Sequence, residues 1–293
     1  MHRYLRAIGF SKILKRTQMQ KIIKLVVHEA SERKYVSRFD DSIAVEYKKE
    51  FAEGIGISVC GEYSDEDEFE FDYCYPYLIG TNISSNEDIS VERHAEKESY
   101  AGICDDIKVG VSLIFYLQNY LDYMKEQVRG NIPAHNTSVN LSGLSVSGSI
   151  MIPLNKNEQQ VQKVKKAEIN RNQLIVAARR GDEDAIESLT LEDMDTYTTI
   201  SRKILKEDIF SLVDTYFMPY GIECDQYSVL GEILDFKLIS NTITKEEIYV
   251  MTINCNDLIF DVCINKNDLV GEPALKRRFK GVVWMQGHIN FPD

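Results

Sequence analysis

Apolar and polar positions along this chain change period several times, and each change marks an element. Near the start, Tyr4, Leu5 and Ile8 recur at three- and four-residue spacing before Gly9, which predicts a short helix with a glycine stop. A second helix is predicted from Thr17 to about Arg33. Thr17 would cap it, Gln20 would complete a capping box, and Ile22, Ile23, Val26, Val27 and Ala30 form one apolar stripe. His28, beside that stripe, reads as a structural histidine. From Tyr35 to Asp106 the period becomes two, and the stretches at 43–47, 56–63, 68–75 and 89–98 predict four strands of one antiparallel sheet. In the third, strict alternation would place Phe69, Phe71, Tyr73 and Tyr75 on one face and Glu68, Glu70 and Asp72 on the other.

Leu113, Ile114, Leu117, Tyr120, Leu121 and Met124 then return to helical spacing and end near Gly130, predicting a helix over the aromatic sheet face. Residues 138–152 alternate again, as one strand or a tight hairpin. Residues 155–220 form a helical middle, in which 172–189 resembles a single helix-turn-helix unit of the ankyrin type, with Gly181 as stop and Asp182 as the next cap. A lone copy cannot bury its faces as an array, so a local helical pair remains. Thr190 reads as a further cap. Beyond Pro219 and Gly221, strands are predicted at 227–239, 248–255 and 258–264, the last two as a hairpin through Asn256-Asp257, with a final strand or hairpin at 277–291. Gly281 and Gly287 stand where a small barrel needs a bulge or bend.

The resulting fold class is α+β: an N-terminal antiparallel sheet with covering helices over 1–153, a helical connector over 154–221, and a small curved sheet or partly open barrel over 222–293. The two β regions can equally form one composite domain.

Charge sharpens this picture. The net charge of −12 weighs against general affinity for nucleic acid or anionic membrane. Residues 1–39 carry +8 and residues 40–106 carry −15, so a basic helical start is expected to pack beside an acidic sheet. No run of eighteen apolar residues occurs, and Arg3, Arg6, Lys12, Lys15 and Arg16 interrupt the first hydrophobics, which predicts a cytoplasmic, soluble protein. The six cysteines read as buried free thiols.

Three functional readings follow. The leading one is a binding or regulatory module without catalysis, taking a protein partner or a second copy of itself through its sheet and barrel. An enzyme is the second, with a metal or phosphate held by Glu68, Glu70, Asp72, Glu92, His94 and Glu96, because hard oxygen ligands with an imidazole suit manganese or zinc. A nucleic-acid binder is the third, through Arg3, Arg6, Lys12, Lys15, Arg16, Lys21 and Lys24. A barrel also invites a strand-and-stacking site at Arg277, Arg278, Lys280 and Trp284, but residues 222–293 are net negative by four, and Trp284 reads as a core residue. No nucleophile elbow, phosphate loop or paired-cysteine zinc spacing occurs. The sequence therefore assigns no catalytic, binding or metal residue and no cofactor.

Finally, residues 1–11, 214–221 (Asp-Thr-Tyr-Phe-Met-Pro-Tyr-Gly) and 279–291 resemble a domain-of-unknown-function family of Gram-positive anaerobic bacteria. The resemblance spans the chain and implies a bacterial, intracellular protein, with no activity, cofactor or functional residue to transfer.

Overall fold

Alternating residues between Glu32 and Leu78 fold as four antiparallel strands in plain sequence order: β1 (Glu32–Ser37), β2 (Ile43–Ala52), β3 (Ile55–Tyr63) and β4 (Phe69–Leu78). The structure, a computed structural model, describes residues 2–37, 42–63, 68–93, 99–106, 108–130, 137–153, 170–171, 173–191, 194 and 213–292. Ahead of the sheet lie a 3-10 helix (Arg3–Ile8), closed by Gly9 at φ 84°, and α1 (Arg16–His28). Both depart from expectation in detail. Lys15, not Thr17, occupies the N-cap position of α1, and the Gln18 side chain accepts from the Leu14 and Lys15 amides. The helix also stops five residues before Arg33. Residues 32–37 instead pair along β2, and that ladder overrides helical propensity.

The alternation in β4 is not strict. Cys60 faces Tyr73 and Gly61 faces Phe71, so Asp72 is an extra residue and the strand carries a bulge. Side chains therefore change face at Asp72. Tyr73 and Tyr75 share a face with Glu46, Lys48, Ser58 and Cys60, whereas Phe69 and Phe71 share the opposite face with Tyr47 and Tyr63. Gly61 permits the bulge, since a Cβ there would meet the Glu70 carbonyl oxygen at 2.0 Å.

The second sheet begins with β5 (Ile89–Arg93), β6 (Tyr100–Cys104) and β7 (Leu113–Leu117). β5 thus pairs with β6 and is not the fourth strand of the first sheet. The helix predicted from Leu113 is a strand followed by α2 (Tyr120–Arg129), a short apolar run being one that periodicity alone cannot classify. β8 (Ser138–Met151) is one long strand. After it come β9 (Tyr216–Pro219), β10 (Gln226–Ser240), β11 (Glu247–Cys255), β12 (Leu258–Asn265), β13 (Leu269–Val270) and β14 (Arg278–Asn290).

Strands β10, β11 and β12 form a meander, and β14 returns to lie beside β10, giving the Greek-key order β14-β10-β11-β12. β8 then closes the ring, parallel to β12 and antiparallel to β14. The product is a closed five-stranded barrel filled by Val229, Ile233, Met251, Ile253, Phe260, Val262, Phe279 and Val283, all fully buried. The β11–β12 turn uses Asn256 and Asp257 at φ 54° and 61°, as the sequence predicts. Gly281 marks a bulge in β14. The 3-10 segment docks on the barrel through Asn241 and Thr244, which donate to the Ile8 and Gly9 carbonyls.

Residues 1–151 and 216–293 make one unit and residues 152–215 a second. Within the second, two helical segments (173–179 and 183–191) flank Gly181 at φ 87°, and Asp182 accepts from the Ala185 amide as the predicted cap. Thr190 lies inside the later helix, its hydroxyl bonded to the Ile186 carbonyl, and does not cap a new one.

Candidate functional site

On α1, Arg16, Met19, Gln20, Ile23 and Lys24 recur at helical spacing and so share one face. That face lies opposite Phe71 and Cys74 of β4, and with His2 and Leu14 these side chains line a half-open groove of about 790 Å³. Its floor is apolar and one rim is cationic. Arg16 and Lys24 stand eight residues apart, about 12 Å along the helix axis. The groove owes its second wall to the β4 bulge, which turns Phe71 toward α1. Leu14 and Phe71 are 79% and 46% exposed, so the groove offers accessible apolar surface. His2 packs on Trp284, with ring centroids 4.6 Å apart, and the Trp284 indole donates to the Asp225 carboxylate at 2.7 Å. Burial pushes the Cys74 thiol up to about 11, so at neutral pH it is an apolar wall group and not a nucleophile.

The opposite face of the same sheet is closed and polar. Glu46, buried, accepts from Ser58 (2.6 Å) and Tyr75 (2.8 Å), and Lys48 lies 3.4 Å from its second oxygen. Lys48 also donates to the Gln118 carbonyl, beside α2. The Gln118 side chain donates in turn to Gln286 and to the Leu78 carbonyl, and Gln286 donates to the Pro76 carbonyl. This chain of satisfied groups ties the four-stranded sheet to β14. Burial raises the Cys60 thiol and the Tyr73, Tyr75, Tyr116 and Tyr120 phenols, which keeps them protonated as hydrogen-bonding, non-nucleophilic groups. His288, on the same side of β14 as Gln286, is lowered by burial and by Lys48.

A smaller cavity of about 210 Å³ opens between the β2–β3 turn and the outer face of the barrel. Its floor is Asp261, which accepts from the Thr81 amide and hydroxyl and from the Thr252 hydroxyl. Three neutral donors satisfy this carboxylate.

The residues picked out by sequence scatter. Glu68, Glu70 and Asp72 lie in or beside β4, and Glu92 lies in β5 of the other sheet, while His94 and Glu96 fall outside the described residues. Among the described residues, no group of three His, Cys, Asp or Glu side chains is placed to hold a metal ion. Of the basic start, Arg16 and Lys24 line the groove, Arg6 bonds bidentately to Asp268, and Arg3 sits over the Tyr4 ring. Arg278 and Trp284 are buried, and Arg277 donates to the Glu272 carbonyl, so they form no shared strand-binding surface. The core reading of Trp284 stands. Cys224 is exposed and Cys74 half-buried, which corrects the expectation of uniformly buried thiols, and His28 is exposed on α1. The groove itself was missed. Its one signal was the interruption of the apolar stripe of α1 by Arg16, Gln20 and Lys24 at helical spacing.

Residues 5–287 match the family model described as "Domain of unknown function, E. rectale Gene description (DUF3881)". No curated protein matches, and neither does any solved structure.

Proposed function

The chain belongs to the DUF3881 family, and we propose that it acts in the cytoplasm as a recognition module without catalysis, whose groove between α1 and β4 takes the apolar side of an acidic partner segment. The observation that carries this reading is the pairing of a cationic rim with an apolar floor on which Leu14 and Phe71 are exposed. Leu14, Met19, Ile23 and Phe71 offer the apolar contact, and Arg16 and Lys24 offer two charges about two helical turns apart. The volume of about 790 Å³ lies within the range of built binding sites. A partner helix with a Leu or Met stripe and carboxylates eight residues apart matches that spacing. No described helix is long and apolar enough to cross a membrane.

The test uses a fluorescent amphipathic helical peptide with Glu residues eight apart beside a Leu stripe. Anisotropy should rise on titration with the full chain, and the affinity should fall with added salt and by about tenfold or more in the Arg16→Glu, Lys24→Glu double variant. Equal binding by that variant, or no binding by the natural chain, removes the proposal.

A further inference from the structure

The strand β10 changes character halfway along. From Gln226 to Glu232 it is paired on one edge with β14, and Tyr227 to Leu230 also pair with β9 on the other. β14 ends its pairing at Arg278, opposite Glu232, with Ile233 bonded to the chain just before it. From Asp235 to Ser240 the only strand partner among the described residues is β11. A bulge between Ile233 and Asp235 starts this half, and Leu234 to Leu238 are exposed without a break on both faces.

The free edge carries its own hydrogen-bonding groups. The Asn241 amide bonds to the Glu246 carbonyl, so the odd-numbered residues of this half face β11, and the N–H and C=O of Phe236 and Leu238 point away. The Phe236 N–H is occupied by the carboxylate of the preceding Asp235 at 2.9 Å. A bare edge of this kind is a template for a further strand.

We propose that the added strand is the same segment of a second copy, paired antiparallel about a two-fold axis through Phe236. In that register Phe236 faces its own counterpart, Leu234 faces Leu238, and Asp235 faces Lys237, each of the latter pairs occurring twice. Residues 234–238 read apolar, acidic, aromatic, basic, apolar, so the segment complements itself when reversed. Opposite charges and aromatic or aliphatic pairs directly across strands each favour pairing, whereas like charges there oppose it. A one-residue slip, centred on Lys237, would set lysine against lysine, so the charges select the register as well as the partner. The existing contacts give way easily. The Phe236 N–H exchanges an intrachain acceptor for the partner's carbonyl, releasing Asp235 for Lys237, and the Lys237–Glu53 pair is an exposed one with side chains 44% and 77% accessible. The result is a weak isologous dimer whose β10–β11 ribbons join into one sheet.

Sedimentation velocity of the full chain at low salt tests this assignment. The natural protein should move from the 33.7 kDa chain mass toward twice that mass as its concentration rises to hundreds of micromolar. Asp235→Lys alone and Lys237→Asp alone each place like charges opposite one another and should raise the dissociation constant about tenfold or more. The double exchange should restore the dimer, and the two single variants, each monomeric, should associate when mixed. That mixing result also shows that both variants are folded. A natural chain that stays at 33.7 kDa throughout overturns the proposal, as do single variants that dimerise undiminished, or a mixture that stays monomeric.

Discussion

The two faces of the four-stranded sheet present opposite solutions to covering the same strands. On the face of Glu46, Ser58 and Tyr75, every polar group named above has a partner and the contact with β14 and α2 is closed. On the face of Phe71 and Cys74, α1 lies apart from β4 and leaves an accessible apolar floor. Closed polar layers fix a geometry because an unmatched buried group costs about 1–3 kcal/mol. Open apolar floors leave binding free energy unspent on folding. The contrast teaches where to look for stability and where for recognition.

The sharpest way to break the contrast is Tyr75→Ala. It removes a fully buried ring together with the hydroxyl that contacts Glu46 and the Gln118 carbonyl, so denaturant unfolding should show a loss of about 3–5 kcal/mol. The effect of pH on the closed face is smaller. His288 is held below its ordinary value of 6.5 in the folded chain, so the unfolded chain binds its proton more readily. Its contribution to stability is present above 6.5 and is lost as pH falls through the lowered folded value. The thermal unfolding midpoint should therefore drop as pH falls below about 6.5, and His288→Gln should flatten that dependence. The groups facing His288 include Lys48 and Lys34 as well as Asp122 and Glu32, and the lysines reinforce the effect of burial. The smallest stability change belongs to the groove. Phe71→Ser should alter unfolding by no more than about 0.5 kcal/mol, yet weaken the acidic amphipathic peptide measurably.

Much of the fold was legible from residue pattern, and its misreadings share a cause. Alternation found β2, β3, β4, β8, β10, β11, β12 and β14, and the Asn256-Asp257 turn fixed a hairpin. Two bulges break the alternation by which a sequence assigns strand faces. At Asp72 and again between Ile233 and Asp235, one residue shifts the phase, so side chains that strict alternation joins lie on opposite faces. In β10 this shift puts Phe236 and Leu238 on the same side of the sheet as Met251 and Tyr249, with Asp235 and Lys237 beside Thr252 and Val250. Strand pairing was not legible either. Residues 89–93 alternate like their predecessors, and only the β6 ladder assigns them to the other sheet. The candidate groove depends on both kinds of hidden information, since its walls are one face of a helix and the displaced face of a bulged strand. No local motif encodes that juxtaposition.

β14 pairs with β7, β8 and β10, and its partner β8 was made more than a hundred residues earlier on the chain. During synthesis the barrel therefore cannot close until residues 278–290 have left the ribosome. Until then β8 waits with an unpaired edge through the emergence of the whole segment from 152 to 277. Closure over such sequence separation incurs its loop entropy before the β14 contacts offset it, which makes barrel closure a slow, non-local event compared with the pairing of the first sheet.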